Sequence, residues 1–595
     1  MAAARSSMLF LALTALASAS SVVQRGSHKP LAYWTKEQRV SAETEHEVVV
    51  AVRQRNLDRV EAALADVSDP RSPRFRAHWT PAQLRAATMG NGSDARAAIA
   101  WLVADVGARV TRSSVASEFV RAKAPVGAWE RALGCEFHWY ARAAASARHD
   151  DAGRVARCDG DYALPSSVSP HVSAIFSVSN LPPRVSRGAR RRGAAGSPAL
   201  GNAVTPAVLD EFYAIDSNAG SKLASQAVFE TSGQTFSPDD LATFEKAFGL
   251  PPDAVDTDVG GHSSDSLCKV VANECTEANL DVQYMMAVSQ GTPMTYYYVD
   301  SASDPFLAFA EALASMAEPI LVSSISYGSV ESDNTASVME ATNAEAMKLG
   351  LLGGSIFVSS GDDGVTNYAT TSKLGCAYNP SYPATCPYVT AVGATYASSW
   401  AAPGEGEIVC QSNVDDAVIT SGGGFSATFA APNYTTSAVA GYFENVATAP
   451  LGGYAAGGRG YPDVALAGYG YEVVIGGATY SVSGTSCSAP AVAGMASLVN
   501  AIRLEAGAGS VGFLNPTLYA DAGAFANDVT EGENNCVAED AFCCDEGFHA
   551  AEGWDPATGF GSVDYAKFEA LLTADLGAAA VAAAKARLAA APGRA

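Results

Sequence analysis

The first 180 residues carry apolar positions in both strand-like and helical patterns. Residues 45–66 open with a β-like apolar run and continue with apolar residues at helical spacing. Residues 94–106 fit a second helix, and the residues around Cys135 fit another strand. This mixture predicts an α+β unit.

From about residue 204 the pattern changes to strands that alternate with helices. The stretches EPILVSSISYG (318–328) and GSIFVSSGDDG (354–364) are short apolar runs that end in small or acidic residues. Residues 333–353 between them fit a helix that ends at glycine. Strand, helix and strand in this order predict a parallel sheet with crossover helices, in which catalytic groups lie at the carboxyl ends of the strands.

Three further segments lie outside these two units. Residues 1–19 combine a basic start, an apolar run too short to span a bilayer and a small-residue cleavage site, which is typical of a secretory signal. Residues 181–201 are rich in arginine, proline and glycine, which predicts a linker with a processing site. Residues 573–595 form an alanine-rich tail, predicted as a dispensable helix or disorder. The predicted domains are therefore residues 20–180 and 202–572, and no membrane span is expected.

The net charge of −24 is unevenly distributed along the 595 residues. Residues 1–193 hold 27 Lys and Arg against 17 Asp and Glu, whereas residues 194–595 hold 11 against 45. The simple interpretation is two domains with different surfaces. The sharper one is that the basic part docks on the acidic part and loosens when carboxylates are protonated. Because the arginines are scattered rather than aligned along one face, nucleic-acid binding is not expected.

The chain has eleven cysteines, and in a secreted protein these predict disulfides. The odd number leaves at least one free thiol or an intermolecular bond. Candidates for small closed loops are Cys268 with Cys275, Cys376 with Cys386, and the late cluster Cys536, Cys543 and Cys544.

A candidate nucleophile lies in VSGTSCSAPAVAGMASLVN (482–500), where Ser486 follows Gly-Thr as in the nucleophile turn of a subtilisin-type protease. Such a serine needs a base, which in most serine proteases is a histidine. The region after the linker contains only His262 and His549, and both lie in irregular stretches. Each fits an ordinary surface histidine better than a catalytic one.

Glu277 and Asp281 are the alternative source of a base. They lie four residues apart in ECTEANLDVQYMMAVSQG (274–291), so a helix places them on one face. Such a pair is usually a solvated helix face, but the flanking apolar residues predict that this helix is largely buried. Burial with a shared proton stabilises such a pair, and a carboxylate base requires a pKa near the working pH. This indicates an acidic working pH.

With these motifs in this order, the sequence resembles the sedolisins, or serine-carboxyl peptidases. EANLDVQYMM is similar to the family's Glu-x-x-x-Asp helix, VSSGDDG to the strand end that carries an oxyanion acid, and SGTSCSAP to the nucleophile turn. The resemblance implies Ser486 as nucleophile, Glu277 as base, Asp281 as supporting acid and Asp362 as oxyanion acid. It also implies a subtilisin-like α/β fold with a mostly parallel sheet flanked by helices, preceded by the α+β pro-domain. Asp363, beside Asp362, departs from the family pattern.

The resemblance further implies a Ca²⁺ site. Asp528 and Asp555 lie at the two ends of an irregular region, and carboxylates with backbone carbonyls are ligands that suit Ca²⁺. The implied ligands are Asp528, Asp555 and the carbonyls of Val529, Ala551 and Gly553. At 551 the family usually has glycine.

We therefore expect a zymogen of an acid-active serine-carboxyl peptidase, secreted or in a lysosome-like acidic compartment. Its expected partners are peptide or protein substrates and its own pro-domain, which acts as an intramolecular inhibitor. The resemblance favours release of tripeptides from peptide N-termini. The alternatives are an endopeptidase of the same family, a non-catalytic secreted relative, and a neutral subtilisin-like protease.

Overall fold

The structure is a computed structural model. It describes residues 23–24, 31–89, 92–114, 118–142, 153–183, 185–187, 190–194, 203–300, 304–370, 372–400, 406–415, 417–540 and 542–590. The predicted signal, residues 1–19, lies outside the described residues.

The N-terminal unit combines antiparallel sheets with short helices, which confirms the α+β prediction. One sheet has the strand order Arg109–Ser113, Phe119–Pro125, Glu45–Val52, Val172–Phe176. A second has the order Trp34–Arg39, Phe137–Arg142, Arg154–Cys158, and a two-stranded pair joins Val23–Gln24 to Ala163–Leu164. The helices are Leu57–Ser68, Pro81–Thr88, Ser93–Ala100 with the π-helical turn Trp101–Val106, and Val126–Leu133.

Local sequence explains these elements. Val48, Val50 and Val52 alternate along their strand and are buried in the same cluster as Trp101 and Trp129, so one sheet face meets the helices. Pro81–Thr88 begins with a capping box, in which the Thr80 side chain accepts the Gln83 backbone N–H and the Gln83 side chain accepts the Thr80 N–H.

The C-terminal unit contains a ten-stranded, mostly parallel sheet, as the alternating pattern predicted. Its order is Thr257–Val259, Met294–Tyr298, Gln226–Glu230, Val322–Ile325, Ser355–Ser359, Thr390–Ala397, Val464–Ala467, Ser562–Val563, Ala526–Asn527. Two pairings in this sheet are antiparallel. One joins Ser562–Val563 to Ala526–Asn527, and the other joins the tenth strand, Glu407–Val409, to Thr390–Ala397. Shorter strands are Tyr327–Val330 with Ser381–Tyr382, Gly424–Ala430 with Gly458–Tyr461, and Tyr471–Ile475 with Ala478–Ser483.

Helices cover the sheet. They are Pro206–Phe212, Pro238–Phe248, Asp265–Val270, Thr276–Val288, Pro305–Ser315, Ala336–Leu351, Thr436–Asn445, Thr485–Glu505, Asn515–Ala520, Tyr565–Thr573 and Ala578–Ala589. Thr485–Glu505 packs against Thr276–Val288 and the central strands, and both helices are buried on almost every side. By length and composition, Thr485–Glu505 is the one helix among the described residues that resembles a membrane span, and it is buried in the core of the domain.

The predicted linker, residues 181–201, contains two short strands that its composition did not indicate. Ser186–Arg187 pairs with Tyr327–Val330, and Arg190–Ala194 pairs with Ala478–Ser483. The two segments are therefore held by strands of the C-terminal unit.

The alanine-rich tail forms a helix, Ala578–Ala589, that packs on the helix Thr485–Glu505. Ala584 and Leu588 are buried against Ala501 and Ile502. Lys585 forms ion pairs with Asp216 and Glu569. These contacts make the helix part of the folded domain.

The disulfides differ in part from those expected. The loop closed by Cys268 and Cys275 is confirmed, and Cys536 pairs with Cys543 in the late cluster. The predicted bond between Cys376 and Cys386 was wrong, because Cys376 pairs with Cys544, which is distant in sequence. Cys386, Cys410 and Cys487 are buried free thiols, and Cys135–Cys158 is the fourth bond.

Candidate active site

Ser486 lies at the first turn of the buried helix Thr485–Glu505. Pro490, four residues later, has no backbone N–H, so the Ser486 carbonyl lacks the helical hydrogen bond that it would otherwise receive. The Ser326 hydroxyl oxygen lies 3.4 Å from this carbonyl. The Ser486 hydroxyl donates to the Ser326 carbonyl at 3.1 Å. Ser326 therefore positions the side chain of the candidate nucleophile.

Asp281 is connected to the nucleophile through the same serine. The Ser326 hydroxyl donates to Asp281 Oδ1 at 2.8 Å, while Asp281 Oδ2 has no hydrogen-bond partner among the described residues. Glu277, one helical turn earlier, is also fully buried. Burial, followed by the negative charges of Glu230 and Glu277, raises the pKa of Asp281 well above its usual value. Asp281 therefore holds a proton at a pH where exposed carboxylates are ionised.

Sequence reasoning missed Glu230 and Tyr327. Glu230 is fully buried at the carboxyl end of the strand Gln226–Glu230, and it accepts a hydrogen bond from the hydroxyl of Tyr327. An acidic residue that ends an apolar strand was the signal in the sequence, whereas Asp362 was assigned through the resemblance of its motif to the family. The site thus holds three carboxyl groups on the Glu277 side of the nucleophile.

Asp362 follows the strand Ser355–Ser359 and contacts Thr485, the residue before Ser486. The backbone N–H and the hydroxyl of Thr485 both donate to its Oδ1 at 2.8 Å. Its Oδ2 is buried without a hydrogen-bond partner among the described residues. Burial raises the pKa of Asp362 to about 7, against the opposing influence of Arg190 and of the Thr485 hydrogen bonds. A neutral Asp362 with a free oxygen is a hydrogen-bond donor next to Ser486.

Neither the histidines nor Cys487 competes with these groups. His262 stacks on Tyr298, His549 faces Glu533, and no histidine among the described residues contacts Ser486. Cys487 is fully buried, and burial followed by nearby carboxylates raises the pKa of its thiol. A protonated, buried thiol is a packing group rather than a nucleophile.

The predicted metal ligands come together in one loop region. The Gly553 N–H donates to Asp528 at 2.9 Å, and the Ala551 N–H donates to Asp555 at 3.2 Å. Asp555 is fully buried, and no Lys or Arg among the described residues pairs with either carboxylate. Burial raises the pKa of Asp555 to about 7. Both oxygens of Asp555 accept hydrogen bonds, which come from the N–H groups of Ala551, Ala557 and Thr558 and from the Thr558 hydroxyl. Carboxylate oxygens without a Lys or Arg partner are ligands of the kind that Ca²⁺ prefers.

Ala551 does not disturb this loop, although the family usually has glycine there. Its φ is outside the left-handed region, whereas Gly553 adopts a φ of 87°. The Ala551 carbonyl is therefore held by backbone that any residue adopts.

Known proteins resemble both units of this chain. Residues 32–181 match the family described as Pro-kumamolisin, activation domain, and residues 287–506 match the subtilase family. Tripeptidyl-peptidase 1 of Rattus norvegicus is 33% identical over 548 residues, covering 89% of this chain and 92% of that protein. The Homo sapiens protein of the same name is 31% identical over 549 residues, with the same coverage.

The fold is also found among solved structures. Pseudomonas sedolisin, a serine-carboxyl proteinase complexed with pseudo-iodotyrostatin, superposes with a TM-score of 0.51 at 23% identity and covers 63% of this chain and 99% of that one. Together with the two-unit organisation, these similarities show that the chain belongs to the sedolisin family of serine-carboxyl peptidases, as a serine-type peptidase with an N-terminal activation domain.

Proposed function

We propose that this protein is an acid-active peptidase in which Ser486 attacks the peptide carbonyl carbon and Glu277 accepts the hydroxyl proton. Asp281 orients Glu277, and neutral Asp362 donates a hydrogen bond to the oxyanion of the tetrahedral intermediate. The observation that carries the proposal is the free Oδ2 of Asp362, which lies beside the nucleophile on a carboxyl group with a raised pKa. Losing one such donor typically costs about 10²–10³-fold in rate.

The proposed reaction proceeds through an acyl-enzyme. The C–N bond of the tetrahedral intermediate breaks, and the proton held by Glu277 passes to the leaving amine. An ester of Ser486 with the acyl half of the substrate remains. Water then attacks this ester with Glu277 again as base, which releases the acyl half and restores the serine.

The acidic working range follows from the protonation states of Asp362 and of the pair Glu277 and Asp281. Asp362 donates only in its protonated form, which is populated below about pH 7. Glu277 accepts a proton only if the buried carboxyl groups around Asp281 together carry a negative charge. Activity therefore requires Asp362 neutral and the opposite pair partly ionised. We infer a secreted or lysosome-like acidic compartment from this requirement.

Release of tripeptides from peptide N-termini is the specificity that we propose. It is supported by the name shared by the relatives that match 89% of this chain. A sedolisin-type endopeptidase is the alternative, because it uses the same catalytic groups with a cleft open at both ends.

We propose that the N-terminal unit inhibits the enzyme until it is removed. Linker segments pair with Tyr327–Val330 and with Ala478–Ser483, the strands that follow Ser326 and precede Ser486. A chain bound to both strands competes with substrate for them. Cleavage in the linker and release of the activation domain then open the site.

We also propose that Ca²⁺ stabilises the loop around Asp555, held by Asp528, Asp555 and the carbonyls of Val529, Ala551 and Gly553. The bound cation would neutralise the two carboxylates, so its role is structural.

Mass spectrometry of the products tests the proposal. The matured protein is incubated with a long unblocked peptide at a pH of about 4, beside the full chain carrying Ser486→Ala. The expected result is a ladder of N-terminal tripeptides that is absent from the Ser486→Ala sample. Internal fragments would favour the endopeptidase, and cleavage that persists in Ser486→Ala would overturn the assignment of the nucleophile.

A further inference from the structure

The linker enters the region of the active site in a definite direction. Ser186 is paired with Gly328 and Arg187 with Tyr327, next to Ser326. Further along the chain, Arg190 is paired with Ser483, three residues before Ser486. Both pairings are antiparallel.

This direction defines which half of a substrate lies on which strand. A peptide that runs as the linker does places its N-terminal, acyl half along Tyr327–Val330. Its C-terminal half, which leaves as the amine, extends along Ala478–Ser483. Arg190 therefore occupies the leaving-group side of the nucleophile.

The guanidinium of Arg190 lies between two carboxylates on that side. Nη2 is 3.4 Å from Asp363 Oδ1, and Nη1 is 3.0 Å from Glu539 Oε1. The Asp363 side chain is only 14% exposed, so its charge is poorly screened by water, whereas that of Glu539 is 68% exposed. Asp363 should therefore contribute more than Glu539 to the binding of the Arg190 guanidinium.

The carboxylates are held in place by the surrounding backbone. Asp363 Oδ1 also accepts the N–H of Ala538 at 3.1 Å. Glu539 has a φ of 62°, and its N–H donates to the Val418 carbonyl at 2.8 Å. The disulfide Cys536–Cys543 closes the segment that carries it. Backbone in this left-handed region is unusual for a residue other than glycine and indicates a conformation fixed by its surroundings.

The next residue of the linker has different partners. Arg191 donates to the amide oxygen of Asn273 at 3.1 Å, and its guanidinium lies 4.4 Å from the ring centroid of Tyr480. A neutral amide and an aromatic ring can contact many kinds of side chain and do not select for a positive charge. Of these two linker arginines, only Arg190 lies between two anionic groups.

We propose that Asp363 and Glu539 form a subsite that selects lysine or arginine in the leaving half of the substrate. Arg190 occupies this subsite in the zymogen, as a substrate side chain does in the mature enzyme. Asp363, the departure from the family's motif beside Asp362, thereby gains a role in binding the substrate side chain. The inference rests on the proposed function, because it concerns substrates of the same nucleophile.

Peptide pairs test the subsite in the matured enzyme. Unblocked peptides share their first three residues and carry a single arginine at the first, second or third position of the leaving half, and matched peptides carry glutamine there. At a pH of about 5, kcat/KM is expected to be about fivefold to tenfold higher for arginine than for glutamine at one of these positions.

The ratio of kcat/KM for the arginine peptide to kcat/KM for the glutamine peptide separates side-chain recognition from the chemical step. In Asp363→Asn combined with Glu539→Gln, this ratio should fall to within about twofold of unity, even if both rates change because Asp363 neighbours Asp362. Asp545→Asn, which removes an exposed carboxylate elsewhere on the surface, should keep the ratio of the unmodified enzyme.

Two results would overturn the subsite. One is equal cleavage of arginine and glutamine peptides at all three positions. The other is a preference that survives in the double variant. In both cases, tripeptide release from the glutamine peptides would leave the proposed function intact. If no peptide is cleaved in a Ser486-dependent manner, the proposed function itself fails, and the subsite fails with it.

Discussion

Thr485 donates two hydrogen bonds to a single oxygen of Asp362, from its backbone N–H and from its hydroxyl, each at 2.8 Å. The residue before the candidate nucleophile therefore orients the carboxyl group of Asp362. Because Oδ1 accepts both bonds, Oδ2 is left to carry the proton. The threonine of the Gly-Thr-Ser turn thus acts as a positioning residue for Asp362.

Replacing Glu277 by glutamine tests the base. Glutamine keeps the size of the side chain but does not accept the serine proton, so kcat should fall about 10²–10⁴-fold, the usual contribution of a general base. Glu274→Gln, three residues earlier and outside the helix Thr276–Val288, is the matched control and should retain activity. Equal rates in the two variants would exclude Glu277 as the base.

Glu230→Gln should change the acidic limb of the pH profile. Glu230 is one of the neighbours that raise the pKa of Asp281. Removing its charge lowers the pKa of Asp281, so the buried pair carries its negative charge at lower pH. The acidic limb of kcat/KM should therefore move to lower pH, while the alkaline limb stays in place. A loss of rate with unchanged limbs would indicate a purely structural role.

The ion pairs between the two domains respond to pH in different ways. Arg76 of the activation domain pairs with Asp575 of the peptidase domain. Burial raises the pKa of Asp575, but the hydrogen bond from Arg503 and the charges of Arg76 and Arg503 outweigh burial and lower it. Undocking removes Arg76, so protonation of Asp575 at acidic pH favours undocking. Arg121 of the activation domain contacts Glu311 at 2.9 Å, and burial raises the pKa of Glu311 despite this arginine.

Protonation of His78 in the activation domain favours undocking at acidic pH. Its ring lies against two glycines of the peptidase domain, and a Cβ added at Gly512 or Gly353 would come within 3 Å of it. Burial, then the charges of Arg76 and Arg503, lower its pKa to about 4. Asp575, which pairs with both arginines, is the nearby carboxylate. The undocked histidine binds a proton first, so docking weakens as pH falls from about 6.5 to about 4.

His78→Gln should therefore slow self-maturation at acidic pH more than at neutral pH. The measurement is the rate of activation-domain release, followed by gel electrophoresis, across the range from pH 7 to about 4. His171→Gln is the control, because His171 pairs with Asp94 inside the activation domain. If His78→Gln has the same pH dependence as the unmodified protein, His78 is not the sensor.

Removal of the metal should destabilise the loop that contains Asp555. Without a cation, Asp555 is buried without a cationic partner among the described residues, and its raised pKa favours protonation below about pH 7. A chelator should lower the Tm by several degrees, and added Ca²⁺ should restore it. In Asp555→Asn the Tm should no longer respond to Ca²⁺. A Tm that is insensitive to chelator in the unmodified protein would contradict the site.

The fold was accessible from local patterns in the sequence, and the four catalytic candidates from the resemblance of three short motifs to a known family. Strand ends, the Glu-x-x-x-Asp spacing and the Gly-Thr-Ser turn each occupy a few consecutive residues. The role of Ser326 and the pairing of Cys376 with Cys544 were not, since they depend on contacts between distant segments. Glu230 had a signal at its strand end, but its contact with Tyr327 is visible only in the structure. The strands of the linker were missed for the same reason: Arg190–Ala194 has no strand-like composition and is extended because Ala478–Ser483 pairs with it.

The pH dependence of kcat/KM for the matured enzyme and for Asp362→Asn tests the central claim most directly. In the unmodified enzyme the rate should fall on the alkaline side as Asp362 loses its proton. The pKa of Asp362 is about 7 with Arg190 in place, and release of Arg190 on maturation should raise it further. The Asp362→Asn variant should be slower than the unmodified enzyme at acidic pH. Because asparagine donates a hydrogen bond at every pH, the alkaline limb of the variant should be moved to higher pH or abolished. An activity maximum above about pH 7 in the unmodified enzyme, or the same limb in both proteins, would contradict a neutral Asp362 as the oxyanion donor.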